Sequence, residues 1–369
     1  MTNLFPFNLP GPTVWYVVLY VLTLLMHALF MSYVLAGSIM LGVAGTRGML
    51  GRHGKPSAWA SITTILKDWM PFALSAAITA GVAPLLFVQI LYQQEFYTAN
   101  LLSFHRWMAI LPVLIIAFYL LYLLKAHRIE GKTAIQGIVA MVVMACVLFV
   151  GWSWVENHLL SIDRVAWTEQ YKSNALLYTS PDIIPRLFFW IAAALPTTAL
   201  MLAWQLKAGA SEITPDDAKR SIRPLAWLGI ISLAIATLAA MPILLAAQPD
   251  GTLKWNQPGI VLWMGVALAG TAAQTFLWLP SLKGKTPRTT SLLVGSAGLI
   301  LFWLGILATR ELVRVNALTT PAILARHERV GTIAGLVIFL AFAVLSISTI
   351  AWIVRSVAVA RNGYVADKT

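Results

Sequence analysis

The run LTLLMHALFM, residues 22–31, sets His27 among Leu, Met and Phe. No acidic or basic side chain shares this run, and the first one toward the C-terminus is Arg47. An ionisable residue in so apolar a stretch is costly inside a bilayer and marks a functional site there. Neutral imidazole is a good ligand for iron, copper or zinc. Two other residues of similar chemistry stand where apolar runs begin or end: His105, beside Arg106, and Glu311. A carboxylate can serve as an axial ligand or a proton relay. Arg310 and Arg314, four residues apart, share one helical face and suit the carboxylates of an anionic group, with an ordinary interfacial ion-pair cluster as the alternative. Gln89, deep in a further apolar run, can donate to a cofactor or to a neighbouring helix. His27 has a plainer reading too, a hydrogen bond to a neighbouring helix. His53, His127, His158 and His327 read as solvent or interface histidines.

The elements that must hold these residues follow from composition. Of 369 residues, 59 % are hydrophobic and only 11 % charged, against about 25 % charged in a soluble domain. Several runs reach the roughly 20 apolar residues of a membrane helix. The expected fold is an all-α integral membrane protein, one helical bundle with nine spans near 12–44, 69–94, 104–124, 133–154, 187–206, 224–247, 259–282, 289–309 and 330–354. Trp15, Tyr16 and Tyr20 read as an interfacial belt at the start of the first span, with His27 a turn or two deeper. Pro84 should kink the second. No cleavable leader is expected, because the first apolar run lacks a basic start and a small-residue cleavage pattern. The single cysteine, Cys146, excludes a disulfide within the chain, a cysteine zinc site and covalent haem attachment.

Most of the 26 Lys and Arg fall in 45–68, 125–132, 207–223, 283–288 and the tail from 355. This alternation puts the N-terminus outside and the C-terminus inside. The net charge of +12 then reflects an inner face meeting anionic lipid and needs no nucleic acid. The outer segment 310–329 departs from the trend, with Arg310, Arg314, Arg326 and Arg329 against Glu311 and Glu328. Positive charge on that side calls for a local anionic partner. No inverted repeat relates the halves, which weighs against a secondary transporter.

Several stretches, in order, resemble subunit I of cytochrome bd quinol oxidase. LTLLMHALFM is similar to that family's first helix, where a His ligates a haem of the oxygen-reducing site. ITAGVAPLLFVQ (78–89) is similar to its second helix. FHRWMAI (104–110) resembles the start of its third, with His105 where the family has a ligating Glu. GWSWVENH (151–158) resembles the stretch after helix four, and DDAKRSIRPLAW (216–227) the start of helix six. ATRELVR (308–314) resembles its helix-eight E-x-x-R, in which Glu ligates a haem and Arg meets propionates; these are Glu311 and Arg314 here. The departures are as specific. The family's helix-five His is absent from PRLFFWIAAALPTTALMLAW (185–204), although Met264 matches the helix-seven Met, and the long quinol loop is replaced by AQPDGTLKWNQP (247–258).

The resemblance implies a divergent member: a multi-pass protein of a bacterial inner membrane that binds haem b, with haem d also open, through His27, with His105 or Glu311 as further ligands. It implies oxidoreductase work near the outer face, by electron transfer or oxygen reduction. The partners would be other membrane subunits, such as a subunit I- or II-like chain, and a periplasmic cytochrome. Two rival readings stay open: a non-catalytic paralogue or anchor packed against an oxidase, and a proton-coupled transporter.

Overall fold

The protein is described by a computed structural model over residues 11–51, 58–209, 211, 213–245, 256, 259–318 and 333–366. Among these residues the structure is helical without strands, and nine helices are long and apolar enough to cross a membrane. They correspond one to one with the runs read from the sequence. In order the helices are α1 (Gly11–Met49), α2 (Ala58–Leu91), α3 (Gln93–Leu102), α4 (Phe104–Lys125), α5 (Thr133–Ile162), α6 (Ala166–Ser173), α7 (Ile183–Lys207), α8 (Pro215–Leu245), α9 (Ile260–Leu282), α10 (Thr289–Leu318) and α11 (Ile333–Ala366).

Apolar composition alone explains why these segments are helical. In hydrocarbon every main-chain polar group must bond within its own segment. Hydroxyls inside the spans follow the same rule: Thr23 bonds the Leu19 carbonyl at 2.8 Å and Ser32 that of Ala28 at 2.6 Å. Pro71 and Pro84 lie within α2 without ending it.

The chain divides into two compact units, residues 19–318 and residues 1–18 with 319–369. In the second, no described residue of the spanning part of α11, Ala334–Ile353, is buried. In the first, α7 and α10 are the inner helices. Their apolar windows are 56 % and 50 % buried, against 17 % for α4, an outer helix of this unit. Trp190 and Trp303 stack between α7 and α10 at 5.5 Å, and the Trp303 indole donates to Thr197 Oγ1 at 2.8 Å. From Leu19 onward α1 touches four helices. Gly37 abuts Met70 of α2 and Gly45 abuts Gly137 of α5, Tyr33 bonds Gln205 of α7, and Tyr20 reaches α10.

Several helices run past the expected span ends. α5 continues to Ile162 and α10 to Leu318, so Glu156, Asn157, His158, Arg310 and Arg314 are helical. α2 begins at Ala58, so Lys67 and Asp68 lie within it. Charge was taken to end a span, yet each of these polar side chains has a partner on a neighbouring element, which removes the cost of continuing.

Candidate functional site

Because α10 extends to Leu318, Glu311 and Arg314 sit at i and i+3 in its last turns, both nearly inaccessible. Four other elements converge on them. Tyr92, one residue past α2, donates its hydroxyl to Glu311 Oε1 at 2.5 Å. Tyr20 of α1 accepts from Arg314 Nη1 at 3.3 Å and from Arg310 Nη1 at 3.2 Å. The second carboxylate oxygen of Glu311 faces Arg314 at 3.6 Å and Arg310 at 3.9 Å. The Arg314 guanidinium also lies 5.0 Å from the Tyr92 ring centroid, a favourable cation–aromatic contact. Burial first, and the Glu311 charge second, keep the Tyr92 hydroxyl protonated well above its usual range.

His158 of α5 completes the cluster, with Nδ1 at 2.5 Å from Arg314 Nη2. Guanidinium offers only donors, so Nδ1 must accept, and His158 is the neutral tautomer with its proton on Nε2. This residue corrects the sequence reading, which took it for a solvent or interface histidine. It is 8 % exposed. The signal was present in the apolar Leu159, Leu160 and Ile162 that follow it, which carry the helix on and turn His158 inward.

The charges of the cluster do not balance. Arg186, at the start of α7, lies within electrostatic reach of Arg310 and Arg314 and pairs with Asp182 at 3.8 Å. Three guanidiniums thus meet two carboxylates. Moreover, Nε of Arg186, Nε of Arg314 and Oε2 of Glu311 are buried without a hydrogen-bond partner among the described residues. A desolvated cation cluster with unused donors is suited to an anion.

His27 lies deeper. Its Nδ1 is 2.9 Å from the Ala77 carbonyl of α2, whose acceptor oxygen requires the proton to be on Nδ1. That leaves Nε2 unprotonated and able to bind a metal, the usual orientation of a ligating histidine held by a carbonyl. Gly81 makes room for the ring: a Cβ there would stand 3.0 Å from Cε1 and Nδ1. Tyr20 and His27 are i and i+7 on α1 and so share a face, about 10 Å apart along the axis.

The remaining candidates are not joined to this pair. His105 is exposed at the start of α4 and makes an edge contact with Phe104 at 5.6 Å. Gln89 in α2 and Met264 in α9 are half-buried. Arg326, Glu328 and Arg329, His53 and His327 lie outside the described residues, as does nearly all of 247–258. Among the described residues no group of three His, Cys, Asp or Glu could hold a metal ion by itself.

A second polar layer, not foreseen from the sequence, ties down the segment between α5 and α7. Arg106 pairs with buried Glu156, whose other oxygen accepts from the Tyr178 main chain at 2.8 Å. The Tyr178 hydroxyl donates to Asp163 at 2.7 Å, and burial followed by that carboxylate pushes it up from its ordinary range. Arg164 binds Glu95 of α3 at 2.6 Å, and the Trp167 indole bonds the Leu160 carbonyl at 2.7 Å. α3 and α6 are too short and too polar to register as apolar runs. With the ion pairs Arg106–Glu156 and Arg164–Glu95 they make a polar layer, and Glu156 and His158, two residues apart on α5, tie it to the Arg314 cluster.

No model of a known protein family matches the chain, and no curated protein matches it.

Proposed function

We propose that the chain is a haem b-binding subunit of a membrane redox complex, working near the end of the bundle that carries Arg314. One observation carries the reading. His27 has its Nδ1 tied to a main-chain carbonyl and its Nε2 left for a metal, two turns from a buried cation cluster with unused donors. The residues fit the group. His27 would supply a nitrogen ligand to the iron, and Arg310, Arg314 and Arg186 would meet the propionates. Tyr20, which the arginines engage, and His27 share one face of α1 about 10 Å apart along the axis, so the two would hold parts of one group.

When bound, haem supplies one-electron transfer. The chain's own residues orient and tune it. Ala77 fixes the imidazole tautomer, Gly81 leaves room for the ring beside α2, and the residues flanking His27 on α1 are apolar. On this reading Glu311 is a counter-ion, because Tyr92 and the arginines already engage its oxygens. The loop charge supports an outer location for this end, where a periplasmic or partner-subunit cytochrome would be the electron donor.

A second reading has its own support. Tyr20, Tyr92, Glu311, Arg314 and His158 largely satisfy one another, as they would in a paralogue that keeps the fold and packs against an oxidase subunit. The absorption spectrum of the purified chain separates the two. A Soret band with reduced b-type peaks that disappears in His27→Ala supports the haem subunit; a folded, colourless protein supports the paralogue.

A further inference from the structure

The polar layer around Arg106 and Glu156 exposes apolar side chains where α4 begins. α3 has ten residues, roughly 15 Å of helix, against a hydrocarbon core of about 30 Å. Its inner face, Glu95, Phe96 and Ala99, is buried, and its outer face carries exposed Tyr97 and Leu101. Ser103 alone separates α3 from α4. Main-chain bonds from Ser103 to Ala99 at 3.0 Å and from Trp107 to Ser103 at 2.9 Å carry the helix through it. The outer face therefore runs on into α4. Tyr97, Leu101, Phe104, Met108 and Leu111 follow at alternating steps of four and three, one helical stripe, and all are exposed. A second stretch joins this stripe. The Leu176 carbonyl accepts from Arg106 Nη2 at 3.1 Å, and Arg106 stands in the first turn of α4. Gln170 donates to the Ala175 carbonyl at 2.7 Å, so the chain just before Leu176 is held as well. Leu176 and Leu177 are thus fixed within one arginine side chain of the start of α4, yet they are 72 % and 54 % exposed.

We infer that Tyr97, Leu101, Phe104, Leu176 and Leu177 form a collar that inserts into the bilayer interface, where acyl chains meet headgroups, and so keeps the segment between α5 and α7 on the membrane surface. An exposed apolar patch marks a protein or a membrane partner, and three observations favour lipid. The stripe is continuous with the exposed side of α4, a helix long and apolar enough to cross a membrane whose apolar window is only 17 % buried. None of the five side chains bears a charge, and the nearby Arg106 and Glu156 are paired with each other. At the far end of α3 the outer face turns polar, with Gln93 and Gln94 exposed. An amphipathic helix of this pattern seats its apolar side at the headgroup boundary and its polar end in water, and Tyr97 between them suits that boundary. The collar does not depend on haem being bound.

Nitroxide labels on single cysteines test it, in the full chain carrying Cys146→Ser and reconstituted in vesicles of phosphatidylcholine and phosphatidylglycerol. The readout is the ratio of collisions with dissolved oxygen, which concentrates in lipid, to collisions with a water-soluble nickel chelate. For Leu101→Cys, Leu176→Cys and Leu177→Cys this ratio should be several-fold above that of Tyr171→Cys, on exposed α6, and below that of Leu111→Cys, further along the α4 stripe. Ratios equal to that of Tyr171→Cys put the three positions in water and overturn the inference. Few collisions with either reagent mean that protein, a second copy or another chain, covers the collar, and this overturns it too. The unsubstituted chain gives an independent reading should a variant fail to insert. A phosphatidylcholine with a photoreactive group near the carbonyl end of its acyl chain should attach to the tryptic peptide 173–186 at Leu176 or Leu177. Attachment confined to 183–186, within α7, overturns the inference.

Discussion

Arg314 and Arg310 sit one turn apart on α10 but should respond differently to substitution. Arg314 is 3 % exposed and contacts Glu311, Tyr20, Tyr92 and His158. Arg314→Leu strands a buried carboxylate, a change that costs about 3–5 kcal/mol, and should lower the thermal midpoint of the purified chain sharply. Arg310 is partly exposed and sits at the edge, so Arg310→Leu should leave the fold intact. On the proposed reading its effect falls on a bound haem. A unit charge about 10 Å away at an effective dielectric near 20 is worth roughly 1.7 kcal/mol, or about 70 mV. Losing the cation disfavours the more negative reduced state, so the midpoint potential should fall by up to that amount in a redox titration. An unchanged potential would take propionates out of this cluster. A third residue reports on His27 from the side. Gly81→Ala puts a Cβ against the imidazole and should shift the haem bands without abolishing them, whereas His27→Ala should abolish them. Identical spectra for wild type and Gly81→Ala would count against His27 as a ligand. What the sequence displayed at this scale was uneven. His27, Glu311, Arg310 and Arg314 stood out because apolar runs make ionisable residues conspicuous. His158 and Tyr92 did not, because their roles come from which helix each faces, a property of packing between residues up to 219 positions apart.

At the scale of elements, the tightest seam is the antiparallel pair α9–α10, whose glycines bring the main chains into contact. Gly270 is the extreme case, since its Cβ would fall 2.3 Å from the Phe302 nitrogen and 2.4 Å from the Gly298 oxygen. Backbone cannot yield as a side chain can. Gly270→Ala should cost at least the 1–3 kcal/mol typical of overpacking, while Gly265→Ala on the same helix, with open space around it, should be near neutral. Thermal midpoints in detergent compare them directly, and equal midpoints would refute the seam. The spans themselves were legible because long apolar runs have no other stable form in a bilayer. Their ends were less so. Hydropathy stops at Lys67, Glu156 or Arg310, yet these residues lie within helices and find partners across the bundle. Short, polar α3 and α6 left no apolar trace.

For the whole molecule, the orientation expected from loop charge can be tested by substituted-cysteine labelling. With Cys146 replaced by Ser, a membrane-impermeant maleimide should label Tyr171→Cys in intact cells with the outer face accessible, and should reach Lys219→Cys only after lysis. Both positions are in described, exposed stretches. The reverse pattern would put the Arg314 end on the inner face and remove the case for an external electron donor. That His27 holds a haem is tested by the reduced-minus-oxidised absorption spectrum of the purified chain beside that of His27→Ala. A haem on His27 gives b-type bands in the first and their loss in the second, with both proteins inserted and folded. A colourless wild type, or bands untouched by His27→Ala, would contradict it.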